Sequence, residues 1–187
     1  MNALSLLSDA FARLKIPYLI GGSLASSARG IPRSTLDVDI LARIEPLHAG
    51  QLAGALGADW YADPEQIRDS ITAGRAFNLI HRPSLQKFDI FPASNDFHDS
   101  ELQRATVVTL NFSGEELVCP AATAEDILLA KLAWYRAGGD VSERQWNDII
   151  GLLSANPDLD FGYLRGWAAR LRVDDLLAKA LAASRED

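Results

Sequence analysis

The sequence contains one cysteine, Cys119, one methionine and three histidines. A single cysteine excludes an intramolecular disulfide and any zinc site built on several thiolates. Next to Pro120 it reads as an inert, half-buried small hydrophobe. His48, His81 and His98 are scattered, with no metal-ligand spacing. No apolar run approaches the roughly 18 residues of a membrane span. The N-terminal stretch carries Asp9 and Arg13 and lacks the basic n-region of a secretory signal. The expected compartment is the cytoplasm, with no membrane partner. Positive charge is scarce as well: 18 Lys plus Arg stand against 25 Asp plus Glu, for a net charge of −7. Coating a nucleic acid requires clustered cations that release counterions. An extended DNA or RNA partner is therefore not expected, while an RNA end or a small anion in a local basic pocket remains compatible.

What is present is the material of a globular protein: 187 residues, 48% hydrophobic and 23% charged. Leu4, Leu7, Phe11 and Leu14 recur at helical spacing and predict a helix over 2–15, stopped by Pro17. Tyr18-Leu19-Ile20 predicts a short buried strand that closes in Gly21-Gly22. Ser23 is then placed as the cap of a helix over 24–29. Leu36 to Leu41 alternates as a strand should. Helices are expected around Leu47–Leu56 and over 64–73. Strands are expected at Phe77–His81, Phe88–Phe91, Thr106–Leu110 and Glu116–Val118. Beyond Pro120 the strand signals cease. Thr123 begins a capping box, Ser142 caps a second helix, and two more helical stretches lie around 163–170 and 173–182. The expected fold class is α/β, an α+β mixed sheet in residues 1–118, followed by a helical bundle in 119–187. Trp134, Trp146 and Trp167 are expected in the core of that bundle.

The chemistry concentrates in Asp37 and Asp39. Residues i and i+2 of a strand share a face, so two carboxylates stand side by side while Leu36, Val38 and Ile40 point the other way. Like charges held in this way repel, and a divalent cation removes the conflict; Mg²⁺ suits an all-oxygen ligand set. With 17 Asp in the chain, an Asp-x-Asp also arises by chance. Asp158-Leu159-Asp160 is a second one, read as a solvated turn and helix N-cap. Context separates the two. Upstream of Asp37 a strand runs into Gly21-Gly22-Ser23 and a helix, where glycines allow close backbone approach and the helix start offers free N–H groups. This is neither a P-loop nor a dinucleotide-binding turn. Downstream, Asp89 sits in the apolar strand Phe88-Asp89-Ile90-Phe91, and a buried Asp needs a partner. A phosphatase of the aspartyl-nucleophile type would carry Thr or Val where Leu41 stands.

In combination, Gly21-Gly22-Ser23, the Asp37-x-Asp39 pair and the later Asp89 resemble the nucleotidyltransferase superfamily of the DNA polymerase β fold. The run from Arg33 through Thr35 to Asp39 is similar to a bacterial branch that includes AbiEii-type toxin–antitoxin proteins. The resemblance implies a Mg²⁺-dependent (or Mn²⁺-dependent) enzyme that transfers a nucleoside monophosphate from an NTP to a hydroxyl acceptor. That acceptor would be a small molecule, a protein or an RNA end. It implies that Asp37, Asp39 and Asp89 are catalytic metal ligands and that Gly21, Gly22 and Ser23 grip phosphates. Arg33 and Lys131 are the candidate phosphate cations, and Arg144 is expected to pair with Asp148 one helical turn on. The other reading on the same fold is a catalytically inactive nucleotide-binding or partner-binding module, such as a toxin–antitoxin component with a protein partner.

Overall fold

The structure, a computed structural model, describes residues 2–29 and 37–184. They fall into two compact units: residues 2–24 with 37–122, and residues 25–29 with 123–184.

The first unit is a mixed seven-stranded sheet with helices. Its elements are α1 (Ala3–Arg13), β1 (Tyr18–Ile20), the start of α2 (Gly22–Ala28), β2 (Asp37–Ala42), α3 (His48–Leu56), β3 (Trp60–Tyr61), α4 (Pro64–Thr72), β4 (Phe77–His81), β5 (Gln86–Pro92), α5 (Asp96–Arg104), β6 (Thr106–Phe112) and β7 (Glu115–Ala121). The strand order is β3-β4-β5-β2-β1-β7-β6. The β2–β5 and β1–β7 pairs are parallel, and the remaining pairs are antiparallel.

Alternation decides which face is core. Val38 and Ile40 of β2 pair with Phe88 and Ile90 of β5, and all four are fully buried. Leu4, Leu7 and Phe11 form the buried stripe of α1, as their spacing predicts. Asn2 caps that helix by accepting from Ser5 N–H.

Several elements differ from the sequence expectation. α2 begins at Gly22, so Ser23 lies inside its first turn instead of capping it. β3 and α5 were not signalled. β7 continues through Cys119, Pro120 and Ala121, past the expected end at Val118. Proline is a poor strand residue only where its missing N–H is needed. Pro120 faces Val107 of β6 on one side, and on the other side β1 pairs with β7 at Ala121 alone. Cys119 is almost fully buried rather than half-buried, and burial pushes its thiol pKa up to about 11. It is thus an unreactive packing residue.

The second unit is helical: α6 (Ala124–Ala137), α7 (Glu143–Ala155), α8 (Phe161–Leu171) and α9 (Asp174–Ala183). Its core is built from Ile127, Leu128 and Leu132 of α6, Ile149 and Leu152 of α7, Leu164 of α8, and Leu176 and Leu177 of α9. Thr123, Ser142 and Asp160 cap α6, α7 and α8 through their side-chain oxygens. Asp126 is completely buried and accepts from Thr123 Oγ1 (2.8 Å) and Tyr163 OH (2.5 Å). The tryptophans do not form this core. Trp134 is 59% exposed, and Trp146 and Trp167 are half-buried beneath the cations of Lys179 and Arg170. Among the described residues, no helix is long and apolar enough to cross a membrane.

Candidate active site

The polar face of the sheet is set by β2, β5 and β4. The parallel register pairs Asp39 with Asp89 and Asp37 with Lys87. The antiparallel register pairs Asn78 with the same Asp89. Because alternate residues share a face, Asp37, Asp39, Lys87, Asp89 and Asn78 all project from the side opposite Val38, Ile40, Phe88 and Ile90. The three carboxylates picked out in the sequence therefore do come to one face of two neighbouring strands.

The Gly21-Gly22 turn adjoins them from β1. Gly21 N–H donates to the carbonyl of Asp39 at 2.9 Å. Gly22 has φ +55°, and a Cβ there would lie 1.8 Å from Asp39 Oδ2 and 2.9 Å from Asp39 Cβ. Only glycine fits. At Gly21, by contrast, a Cβ would meet nothing closer than 3.8 Å. The close approach expected of the glycine pair is thus the work of Gly22, and what it admits is the carboxylate of Asp39.

Two residues that the sequence reading did not single out complete the cluster. Lys87 Nζ lies 3.0 Å from Asp89 Oδ2 and 3.6 Å from Asp37 Oδ2. Its pKa is raised, first by the hydrogen bond to Asp89 and further by the charges of Asp89 and Asp37. Asn78 Nδ2 donates to the other oxygen of Asp89, Oδ1. The signal for both residues is register. Lys87 stands two residues before Asp89 on the same strand, and Asn78 faces Asp89 across the hairpin of β4 and β5; what nothing local to them says is that β2, with Asp37, lies on the other side of β5.

The donor set suits a hard divalent cation such as Mg²⁺ or Mn²⁺: carboxylate oxygens on adjacent strands, around a point already attractive enough to hold an ammonium. As folded, that point belongs to Lys87. Among the described residues, no three His, Cys, Asp or Glu side chains stand together as a ready metal cage.

The remaining candidates are placed as follows. Ser23 lies in the first turn of α2. Arg33 lies outside the described residues. Lys131, in the helical unit, forms an ion pair with Asp148 at 3.2 Å, with both side chains more than four-fifths buried. Asp148 thus takes Lys131 of α6 as its partner in place of the expected Arg144, tying α6 to α7.

No family model matches the chain, and no curated protein matches it. Solved structures do. The crystal structure of ANT(2'')-Ia in complex with adenylyl-2''-tobramycin aligns over 90% of this chain and 94% of its own, at 16% identity and a TM-score of 0.51. An antigenic nucleotidyltransferase-like protein from Paracoccidioides brasiliensis aligns over 96% of this chain and 91% of its own, at 22% identity and a TM-score of 0.49. Lincomycin-bound LnuA, a lincosamide antibiotic adenylyltransferase, covers 81% of this chain and 95% of its own, at 18% identity and a TM-score of 0.41. The first of these carries the assignment: the chain has the nucleotidyltransferase fold, a mixed sheet followed by C-terminal helices.

Proposed function

We propose that the protein is a metal-dependent nucleotidyltransferase. It would move a nucleoside monophosphate from an NTP to a hydroxyl acceptor and release pyrophosphate. The observation that carries this reading is that Asp37, Asp39 and Asp89 share one sheet face, with Asp39 directly opposite Asp89, beside a turn in which Gly22 is sterically required.

In this reading Asp37 and Asp39 hold Mg²⁺ or Mn²⁺, and Asp89 completes the site. The ion supplies charge neutralisation for the nucleotide's phosphates. Gly21, Gly22 and Ser23 hold the phosphates at the turn into α2, and Asp89 faces the acceptor hydroxyl and takes its proton. The acceptor oxygen forms a bond to the α-phosphorus as the bond to pyrophosphate breaks. The protein's contribution is positioning and electrostatics, because phosphoryl chemistry of this kind asks for little else. The tobramycin adduct bound by ANT(2'')-Ia makes the hydroxyl of a small polar molecule the first acceptor class to try.

The alternative on the same fold is a binding module without turnover. It is favoured by one observation, the occupation of Asp89 and Asp37 by Lys87. Release of labelled pyrophosphate from each of the four NTPs with Mg²⁺ separates the two readings. Transfer by the wild type and a loss of about 10²–10³-fold in Asp39→Asn, the scale set by removing one preorganised electrostatic group, are expected of the enzyme. Equal turnover in both proteins would exclude the assigned metal site.

A further inference from the structure

Lys87 has no place in the mechanism just described, yet it sits at the centre of the site. Its ammonium bridges Asp89 and Asp37, at 3.0 and 3.6 Å. Mg²⁺ binds carboxylate oxygens at about 2.0–2.1 Å. An ion on Asp89 Oδ2 would therefore lie within a few ångströms of an ammonium on that same oxygen, and two cations so close repel strongly. The carboxylates accommodate one or the other.

The geometry also shows how an exchange could proceed. The Lys87 side chain is 38% exposed and sits on a flexible four-carbon stem, so its head can withdraw into water at little steric cost. Asn78 remains on Oδ1 of Asp89 and keeps that carboxylate oriented while Oδ2 is vacated. We propose that Lys87 is the resident cation of this carboxylate cluster, that a divalent ion binds by displacing it, and that Lys87 thereby sets the metal affinity of the site. The inference rests on the proposed metal-dependent reading and deepens it. In the absence of metal, Lys87 relieves the repulsion among the carboxylates and keeps them together.

The test is a Mn²⁺ titration of the full chain without nucleotide, with free Mn²⁺ followed by electron paramagnetic resonance. Wild type, Lys87→Met, Lys87→Gln and Asp39→Asn are compared. Removing the competing charge is expected to tighten Mn²⁺ binding about tenfold in both Lys87 variants, the effect of one unit charge at close range in a half-solvated site. Asp39→Asn should weaken it. A second readout follows displacement directly. Labelling of the Lys87 amine by an amine-reactive reagent, quantified by mass spectrometry, should speed up in wild type when saturating Mg²⁺ is added. Equal or weaker Mn²⁺ affinity in the Lys87 variants, with wild type binding normally, would overturn the inference and leave the metal-dependent reading standing. So would labelling that is unchanged by bound Mg²⁺. Absence of Mn²⁺ binding in wild type and Lys87 variants alike would overturn the metal-dependent reading itself, and the inference with it.

Discussion

Gly22 is the position where a single atom matters most. Its φ of +55° is a conformation that side chains rarely adopt, and the space a Cβ would need is filled by the Asp39 carboxylate. Gly22→Ala therefore pays twice, for left-handed backbone and for overpacking, at about 2–5 kcal/mol together. We expect a lower urea midpoint and, because Asp39 must move aside, weaker Mn²⁺ binding. Gly21→Ala meets only ordinary van der Waals contact and should shift the midpoint much less. An equal loss at both positions would show that the Gly22–Asp39 contact is not the cause. The residue scale also marks the limit of what the chain reveals by itself. Asp37 and Asp39 are legible because a two-residue spacing puts them on one face of any strand. Asp89 is legible because an Asp among Phe88, Ile90 and Phe91 demands a partner. Lys87 shares a face with Asp89 by the same two-residue spacing and Asn78 meets Asp89 across the β4–β5 hairpin, but that Lys87 also reaches Asp37 depends on the pairing of β5 with β2, which is distant in sequence.

At the scale of elements, long periodic segments are the readable ones. α1, α6 and α7 follow from apolar spacing, with Thr123 and Ser142 legible as the caps of α6 and α7, while Asn2, expected inside the first helix, caps it. α5 carries almost no such pattern, burying Phe97 and Glu101 and, apart from Leu102, otherwise presenting polar residues. What holds its start is local hydrogen bonding. Asn95 Oδ1 accepts from His98 N–H at 2.9 Å, and His98 Nδ1 accepts from Ser94 N–H at 3.2 Å. The second bond requires a neutral imidazole. Burial lowers the His98 pKa, with Asp99 pulling more weakly the other way. A base whose folded pKa is depressed contributes stability above the unfolded value of about 6.5. That contribution is lost as pH falls through the folded value, because the unfolded chain binds the proton first. Stability measured by urea unfolding should therefore decline as pH falls below about 6.5, and His98→Gln should flatten that decline. An unchanged slope in the variant would assign the acid sensitivity to other groups.

At the scale of the molecule, the excess of acid over base first argues against anionic partners, and the site turns that argument around. A chain with net charge −7 that gathers three carboxylates on one face should repel a bare triphosphate. The same face neutralised by divalent cations should attract one. Lys87 offsets part of the charge, but its ammonium is already engaged by Asp89 and Asp37. Nucleotide binding is therefore expected to depend on metal, in a way that thermal unfolding can read. With EDTA, ATP should leave the midpoint where it was. With Mg²⁺ present and nucleotide at a hundredfold excess over Kd, binding to the native state alone adds about 2.7 kcal/mol. For a chain of this size, at 2–4 °C per kcal/mol, that is a rise of roughly 5–11 °C. Asp39→Asn should abolish the rise and Lys87→Met should reach it at lower Mg²⁺. Stabilisation by ATP that persists in EDTA would mean that the phosphates are held by protein cations instead, and that the carboxylate face is not where the nucleotide sits.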